Sequence, residues 1–533
     1  MFSASLTALP SLSFLAPLVL LLAAIVASTQ PGRRPGAVPR LAELTALLAL
    51  VLTAGGLVQV IAGSAIGVAA LDGPVLLALR ADLVAANTAL LVGFIGWIVM
   101  RYSRTYLDGE AREGAFHALM LTTLASVLVF AQAGSLATLA IATLAVGLTL
   151  KRLLLFYPDR AEAQRAATKF ALVWHSGDAL LIAATALFFT QFGTVELSAL
   201  AAAASAQGLG YLGNATVALL IVAAALKTAS FPLHGWLTEV MEAPTPVSAL
   251  LHAGIINSGG VLLIANAGLV QQSPGAMAAL AMVGGLTALF GAAVMLTQSA
   301  VKTSLAWSTV SQMGFMLLQC GLGLWTLALL HILAHSLYKA HAFLSSGGAV
   351  EEVAKVRRPG PVAAPSVKKV LNSFALAIAL YVGIAALFTL GFGPKTPQAL
   401  AMGTILIFGV AYMVAQGLAD LAPRQLTRRL VGSSMIAAVA YFSFQVMAQA
   451  VWGSILPAAP TPGPLEWALI VIAVLSFGLV AFAQALFPLW AHHPSTAGLR
   501  VHLANGLYLN ALLDRAIGGF SATKGPPISG TPR

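Results

Sequence analysis

Lys227 stands in the run Ala225-Leu226-Lys227-Thr228-Ala229-Ser230-Phe231-Pro232, inside an apolar stretch over 214–238 that is long enough to cross a bilayer. It lies about 20 Å along that stretch at 1.5 Å rise per residue. An ionisable group at membrane depth costs about 2.5–3.5 kcal/mol on insertion scales and is a functional candidate by default. Pro232 cannot donate to the Thr228 carbonyl, so the helix should break or kink beside the lysine. A break at that depth frees carbonyls that can bind water or a cation, as discontinuous transporter helices do. The bland alternative is a lysine snorkelling to an interface.

A second group is His331-Ile-Leu-Ala-His335-Ser-Leu-Tyr-Lys339. Spacings of four put all three side chains on one helical face. Such a stripe can pass protons along a water chain, because histidine gives and takes a proton near neutrality. A zinc site would also use His at i and i+4, but no third ligand is in view and the lysine one turn on would repel the cation. Histidines simply bonded to backbone carbonyls remain the structural alternative. Asp178, with His175 in Trp174-His175-Ser176-Gly177-Asp178, needs a cation at its depth, and Lys227 is the nearest plausible partner. His252, eight residues into the next span, could link Lys227 to the histidine stripe, or be a core histidine. Lys302 opens its span, where snorkelling explains it as well as function does. Glu239 and Glu242 precede Pro244 and Pro246, which mark the start of a helix. Solvated carboxylates and a proton entrance both fit that pair.

The elements that must position these groups are membrane helices. Of the 533 residues, 59% are apolar and 8% charged, and mean hydropathy is +0.91; soluble domains carry about a quarter charged residues. A soluble enzyme, a nucleic-acid binder and a secreted disulfide scaffold are thereby excluded. The single cysteine, Cys320, rules out an internal disulfide and any cysteine-rich cluster. Fifteen apolar runs read as spans: 10–29, 41–63, 82–101, 115–133, 135–156, 170–190, 214–238, 245–268, 275–297, 301–321, 323–348, 370–392, 398–419, 430–452 and 465–489. They are continuous and lack period-2 alternation, so they are helices rather than barrel strands. The first lacks a basic leader and a small-residue cleavage site, so it reads as a true span.

The net charge of +11 is a topology signal. With the C-terminus cytoplasmic and the N-terminus periplasmic, 23 of the 28 basic residues fall on the cytoplasmic side, among them Arg160, Arg165 and Lys169. Only Arg80 and Lys395 fall outside, and Lys227, Lys302 and Lys339 remain within or at the edge of spans. The polar stretches 349–369 and 490–533 are too short to fold alone, and Ser521–Arg533 has a disordered composition.

These motifs also carry a likeness. Lys227-Thr-Ala-Ser-Phe-Pro-Leu-His234-Gly-Trp236-Leu, then Met241-Glu242-Ala-Pro244-Thr245-Pro246-Val247-Ser248-Ala-Leu-Leu-His252-Ala, resembles the core of the antiporter-like subunits of respiratory complex I and of Mrp antiporters. Lys302-Thr-Ser-Leu-Ala-Trp307-Ser308-Thr309-Val-Ser311-Gln312-Met313-Gly314 and the His331, His335, Lys339 stripe do the same. The resemblance implies an all-α polytopic membrane protein with two inverted five-helix repeats and a broken helix 7. It places helices 1–3 in 1–114, the first repeat (helices 4–8) in 115–268, the second (helices 9–13) in 269–420, helices 14–15 in 421–489 and a cytoplasmic tail in 490–533. It implies proton translocation by Lys227, His252 and Lys339, supported by Asp178, Lys302, His331 and His335. Two departures stand out. The family's glutamate on helix 5 falls at Leu144, and span twelve, Leu371 to Leu390, holds no charge.

A closer likeness is to the membrane subunit of the DAB-type inorganic-carbon accumulation complexes of bacteria. It rests on His234-Gly-Trp236, on Glu239-Val-Met-Glu242 and on the ending Leu499-Arg-Val-His502-Leu-Ala-Asn505-Gly506-Leu-Tyr508-Leu-Asn510-Ala-Leu-Leu-Asp514-Arg515. That resemblance implies a multi-pass protein of the bacterial inner membrane that is not catalytic by itself and holds no metal or cofactor. Its partner would be a large soluble zinc-binding (DabA-like) subunit at the cytoplasmic face, with loop 349–369 and tail 499–515 as docking candidates. The expected function is cation, most simply proton, conduction coupled to one-way CO2 hydration and bicarbonate accumulation; a proton-pumping subunit of complex I or Mrp type is the alternative.

Overall fold

The structure is a computed structural model that describes residues 9–70, 73, 76–348, 366–417, 424–486, 490 and 493–516. Loop 349–365 and the tail beyond 516 lie outside the described residues. The chain is helical throughout: α1 Leu15–Ser28, α2 Val38–Ile61, α3 Leu83–Tyr106, α4 Glu113–Ala131, α5 Leu136–Leu154, α6 Ala161–Phe192, α7 Leu197–Gln207 and α8 Gly210–Lys227. The short α9 Gly235–Glu239 is followed by α10 Thr245–Ala253, α11 Ser258–Ala265 and α12 Ala267–Val270. Then come α13 Pro274–Met295, α14 Val301–Gly321, α15 Trp325–Leu344, α16 Val367–Phe392, α17 Pro397–Gly417, α18 Arg424–Trp452 and α19 Pro464–Ala485. Two short helices close the described chain, α20 Ala497–Ala504 and α21 Leu509–Ala516. Among the described residues, strands amount to two small pairings in the loops on one side: Leu9–Pro10 beside Ala65–Ile66, and Val68–Ala70 beside Leu77–Leu79.

Local signals set the boundaries. Asp82 caps α3 by accepting from the Ala85 amide, and Ser135 caps α5 by accepting from Thr138. Pro274 opens α13, and Gly193 ends α6 at φ 70°, where a Cβ would be strained. Twelve helices among the described residues are long and apolar enough to cross a membrane. The protein is therefore multi-pass, with a smaller set of qualifying helices than the fifteen runs in the sequence. Three runs fall outside it. At 10–29 the helix proper has 14 residues after a 3-10 turn. At 398–419 the helix itself, Pro397–Gly417, covers nearly the whole run. At 301–321, α14 carries Lys302 and a series of Ser, Thr and Gln, which are tolerable because its neighbours enclose it; Ser311, for example, donates to the Ala288 carbonyl at 2.9 Å.

One continuous core joins α1 to α15, with smaller clusters around α16–α19. The outward faces carry Leu44, Val51, Ile182, Leu387, Leu475 and Leu479, the apolar belt that lipid requires. Glycines let α13 and α14 meet backbone to backbone. A Cβ at Gly284 or Gly314 would collide with the main chain of the facing helix, and one at Gly291 would lie 2.6 Å from the Ser311 nitrogen.

Two spans are interrupted. The seventh stops at Lys227, beside the lysine as Pro232 predicted, and resumes at Gly235 as α9. The chain turns at Ala229, which takes a left-handed φ of 50°, and the Thr228 hydroxyl donates to the Ala224 carbonyl at 3.0 Å and to Ala225 at 3.1 Å. Pro232 lies inside the connection, where Phe231 N donates to the Thr287 hydroxyl at 3.1 Å. Every such bond matters where water is scarce. The run 245–268, read as one helix, is also broken, by a 3-10 turn at Ile255–Asn257; Asn257 donates to the Ala253 carbonyl at 3.0 Å and seals the gap.

Candidate functional site

The break of the seventh span puts Lys227 at a helix C-terminus, where a cation is favoured. Its Nζ donates to Asp178 Oδ1 on α6 at 2.6 Å, and both side chains are shielded from solvent, 0% and 2% exposed. The other oxygen of Asp178 takes His175 Nδ1 at 2.8 Å. Beneath the ammonium, at 4.3 Å from the ring centroid, lies Trp174, held by donation of its Nε1 to the Thr143 carbonyl of α5 at 3.0 Å. Gly147 makes room for this arrangement, since a Cβ there would press on the Trp174 and His175 rings.

The pairing foreseen between Asp178 and Lys227 is thus present in the structure. The question of what stands in for a helix-5 glutamate has a geometric answer. Leu144 is 37% exposed and faces outward, so that position could not serve Lys227, and α6 supplies the carboxylate in its place.

The second group gathers on α10, α14 and α15. His252 Nδ1 bonds the Thr309 hydroxyl at 3.0 Å, and its ring stacks on Phe343 at 4.3 Å. His331 and His335 lie 6.0 Å apart between ring centroids, and His331 Nδ1 bonds Gln319 Oε1 at 3.1 Å. Lys339 is fully buried and donates to the Leu305 carbonyl at 2.9 Å. Among the described residues it has no carboxylate partner, unlike Lys227. His252 belongs to this cluster, and its Nε2 and those of His331 and His335 have no partner among the described residues. No trio of His, Cys, Asp or Glu among the described residues is placed to hold a metal ion.

Between the two groups is a small cavity of about 30 Å³, walled mostly by apolar side chains such as Leu91, Ile95, Phe130 and Ile332, with room enough for a water molecule. Thr143 and Trp174 line it on the Lys227 side, and Ser336 on the Lys339 side; Gly254, Asn257 and Ser258 of the broken span lie between. Asn257 donates to the Ser336 hydroxyl at 2.9 Å, while Asn257 Oδ1 and Ser258 Oγ stay unpaired. Buried polar atoms without partners normally bind water. Beside His331 and His335 a larger cavity, about 590 Å³, opens between α14, α15, α17 and α18, with Ser308, Gln312 and Gln319 on its wall.

The remaining candidates are placed apart. Lys302 donates to the Thr245 hydroxyl at 3.2 Å, which itself bonds Tyr106. Glu242 pairs with Arg160 at 3.3 Å, both half-exposed. Glu239 faces inward: its Oε1 lies 2.7 Å from Lys169 Nζ, and Asn510 donates to the same oxygen. Lys169, counted among the basic residues of the cytoplasmic side, therefore does not face water. It is fully buried, with Asp514 Oδ1 at 2.7 Å and Asn510 Oδ1 at 2.6 Å. Sequence reasoning missed Lys169, Asn510 and Asp514 because their partners are about 340 residues apart. It also missed Thr309 and Asn257, which carry no charge to mark them.

Buried lysines, one of them paired with Asp178 at a helix break, in a body of long apolar helices fit an antiporter-like membrane subunit. Comparison with known proteins agrees: residues 133–359 match the family described as NADH:quinone oxidoreductase/Mrp antiporter, transmembrane. Two solved complexes share the fold, the Mrp complex from Dietzia sp. (TM-score 0.56, 21% identity, covering 97% of this chain and 58% of that one) and an archaeal membrane-bound sulfane sulfur reductase (TM-score 0.59, 17% identity, 94% and 99%). In sequence, the chain is 38% identical over 431 residues to the inorganic carbon transporter subunit DabB2 of Halothiobacillus neapolitanus, covering 80% of this chain and 77% of that protein. It is 43% identical over 312 residues to DabB of Hydrogenovibrio crunogenus, 58% and 60% of the two chains. Subunit L of the NADH-quinone oxidoreductase of Mycobacterium tuberculosis is 34% identical over 312 residues, 57% and 49% of the two chains. The chain belongs to the DabB family of inorganic carbon transporter subunits, within the antiporter-like proteins.

Proposed function

We propose that this chain is the proton-conducting membrane subunit of an inorganic-carbon accumulation complex, lying in the bacterial inner membrane with its C-terminus cytoplasmic. Its partner is a large soluble zinc-binding subunit that converts CO2 and water to bicarbonate and a proton. The observation that carries the reading is the buried Lys227–Asp178 pair at a helix break, with a second buried group, His252, His335 and Lys339, beyond a small, mostly apolar cavity. In this scheme Lys227 and Lys339 take and release protons; His252, His331 and His335 relay between them and the cavity beside α15; and Asp178 stabilises the charged state of Lys227. Lys302, Glu239 and Glu242 occupy the approach. The non-helical connection 228–234 moves as the Lys227–Asp178 pair opens, and this movement sets the partner's active site.

Protons are favoured over sodium because amines and imidazoles bind protons whereas hard cations need several oxygen ligands. In this scheme the zinc belongs to the partner. The test is uptake of labelled inorganic carbon by cells expressing the complex. Lys227→Ala should abolish it with the complex still assembled, and a protonophore should abolish it in the unaltered complex. Uptake that survives both disproves the coupling. The observation favouring the second reading, a complex I or Mrp type pump, is the likeness to subunit L. Co-purification with metal analysis separates the two: a single large zinc protein supports the first, a set of quinone-reductase or antiporter subunits the second.

A further inference from the structure

The C-terminal segment Pro494–Ala516 docks on the membrane body in an unusual way. Of its side chains almost none is buried; Gly506 and Asp514 are the exceptions. Gly506, Leu507 and Tyr508 have successive φ values of 57°, 53° and 59°, a left-handed conformation that strains a non-glycine residue and persists only where the surroundings impose it. What holds the segment is polar. Asp514 and Asn510 reach Lys169 of α6, Asn510 also donates to Glu239 of α9, and Gln298 binds the Ala504 carbonyl at 3.2 Å. Asn510 lies directly against Gly235, the first residue of α9; a Cβ at Gly235 would collide with its carboxamide and would sit 3.5 Å from its Cβ.

From α9 the contacts run to the proposed proton site. Trp236 packs edge-on against Phe170 and Trp174, with centroids 5.3 and 6.1 Å away, and Trp174 is the ring under Lys227. The geometry points to Lys169, Asn510 and Asp514 as positioning residues: they clamp the C-terminal segment onto α9, and α9 through Trp236 fixes the Trp174–Lys227–Asp178 arrangement. None of them needs to carry a proton. The clamp rests on the reading of Lys227 as a proton site, so its test includes a measurement independent of transport.

The 3.5 Å separation falls in the Cβ–Cβ range of a disulfide, so a covalent tether can replace the ionic one. In the full chain carrying Cys320→Ala, and in complex with its partner, Asp514→Ala leaves Lys169 paired with Glu239 but cuts its ionic tie to the C-terminal segment; it should raise amide hydrogen exchange across 228–242 and lower inorganic-carbon uptake about tenfold. Adding Gly235→Cys with Asn510→Cys and oxidising should restore both, and reductant should reverse the rescue. The tether with Asp514 intact should stay active. Unchanged exchange in Asp514→Ala, or a tether that forms without restoring exchange, overturns the clamp. Restored exchange with uptake still lost overturns the positioning role and makes Asp514 a direct participant. If the unaltered complex takes up no carbon, the proposed function has failed, and the exchange arm still decides the clamp.

Discussion

Replacing Asp178 by Asn probes the centre of the site with little change in shape. The ion pair is 2.6 Å long and out of contact with solvent at both ends, so water cannot stand in for the lost charge. Breaking a buried pair by removing one partner costs about 3–5 kcal/mol, mostly through the charge left behind. At 1.4 kcal/mol per decade that is about two to three and a half orders of magnitude in the population of charged Lys227. The Trp174 ring lies under Lys227 with or without the carboxylate, so it does not offset this loss. Uptake of labelled inorganic carbon by the assembled complex should therefore fall about a hundredfold or more, with the partner co-purifying in unchanged amount. Asp178→Glu, which keeps the charge with one more methylene, should retain more activity than Asn. Uptake within threefold of the unaltered complex for Asp178→Asn would refute the argument, because it would mean that the charged state of Lys227 does not need the carboxylate.

Adding Leu144→Glu to Asp178→Asn should not rescue uptake, since Leu144 faces outward; expression should drop instead, as a charge toward lipid costs about 2.5–3.5 kcal/mol. Gly147→Leu should displace Trp174 and His175 and abolish uptake while the helices still assemble, measured by uptake beside circular dichroism. Gly314→Leu should separate α13 from α14 and show as lost membrane expression rather than as an assembled but inactive complex. Asn257→Leu should leave the Ser336 hydroxyl without its donor and remove the cavity's main polar group, slowing uptake about tenfold with no loss of protein; normal rates would remove the cavity from the path.

Much of the fold is legible in the sequence because lipid imposes a simple rule: long apolar runs must be helices that satisfy their own backbone. Where that rule is relaxed the reading was uneven. Pro232 announced the break beside Lys227, but the 3-10 turn at Ile255–Asn257 has no proline to announce it, only an asparagine that bonds back to Ala253. α14 was legible as a span by its ends, yet its polar face is tolerated only through α13 and α15, which is a matter of tertiary enclosure. In the site, Lys227 and Asp178 could be paired from sequence because each was too costly alone and they lay on adjacent spans. Lys339 carried the same cost, but its partner is the Leu305 carbonyl, a group that every residue has and no sequence pattern marks.

Burial of charge is the common thread. The sequence by itself determined that the chain is a helical membrane protein and that Lys227, Lys339, His252, His331, His335 and Asp178 lie at membrane depth, because composition and run length decide what lipid admits. It also carried the family likeness in its motifs. Only the tertiary structure decided which polar group meets which: Asp178 in place of a helix-5 carboxylate, the asparagine-lined cavity between the two lysines, and the burial of Lys169 beneath Asp514. Those contacts join residues tens to hundreds of positions apart, and a charge near the end of a span looks the same in sequence whether water or another carboxylate faces it.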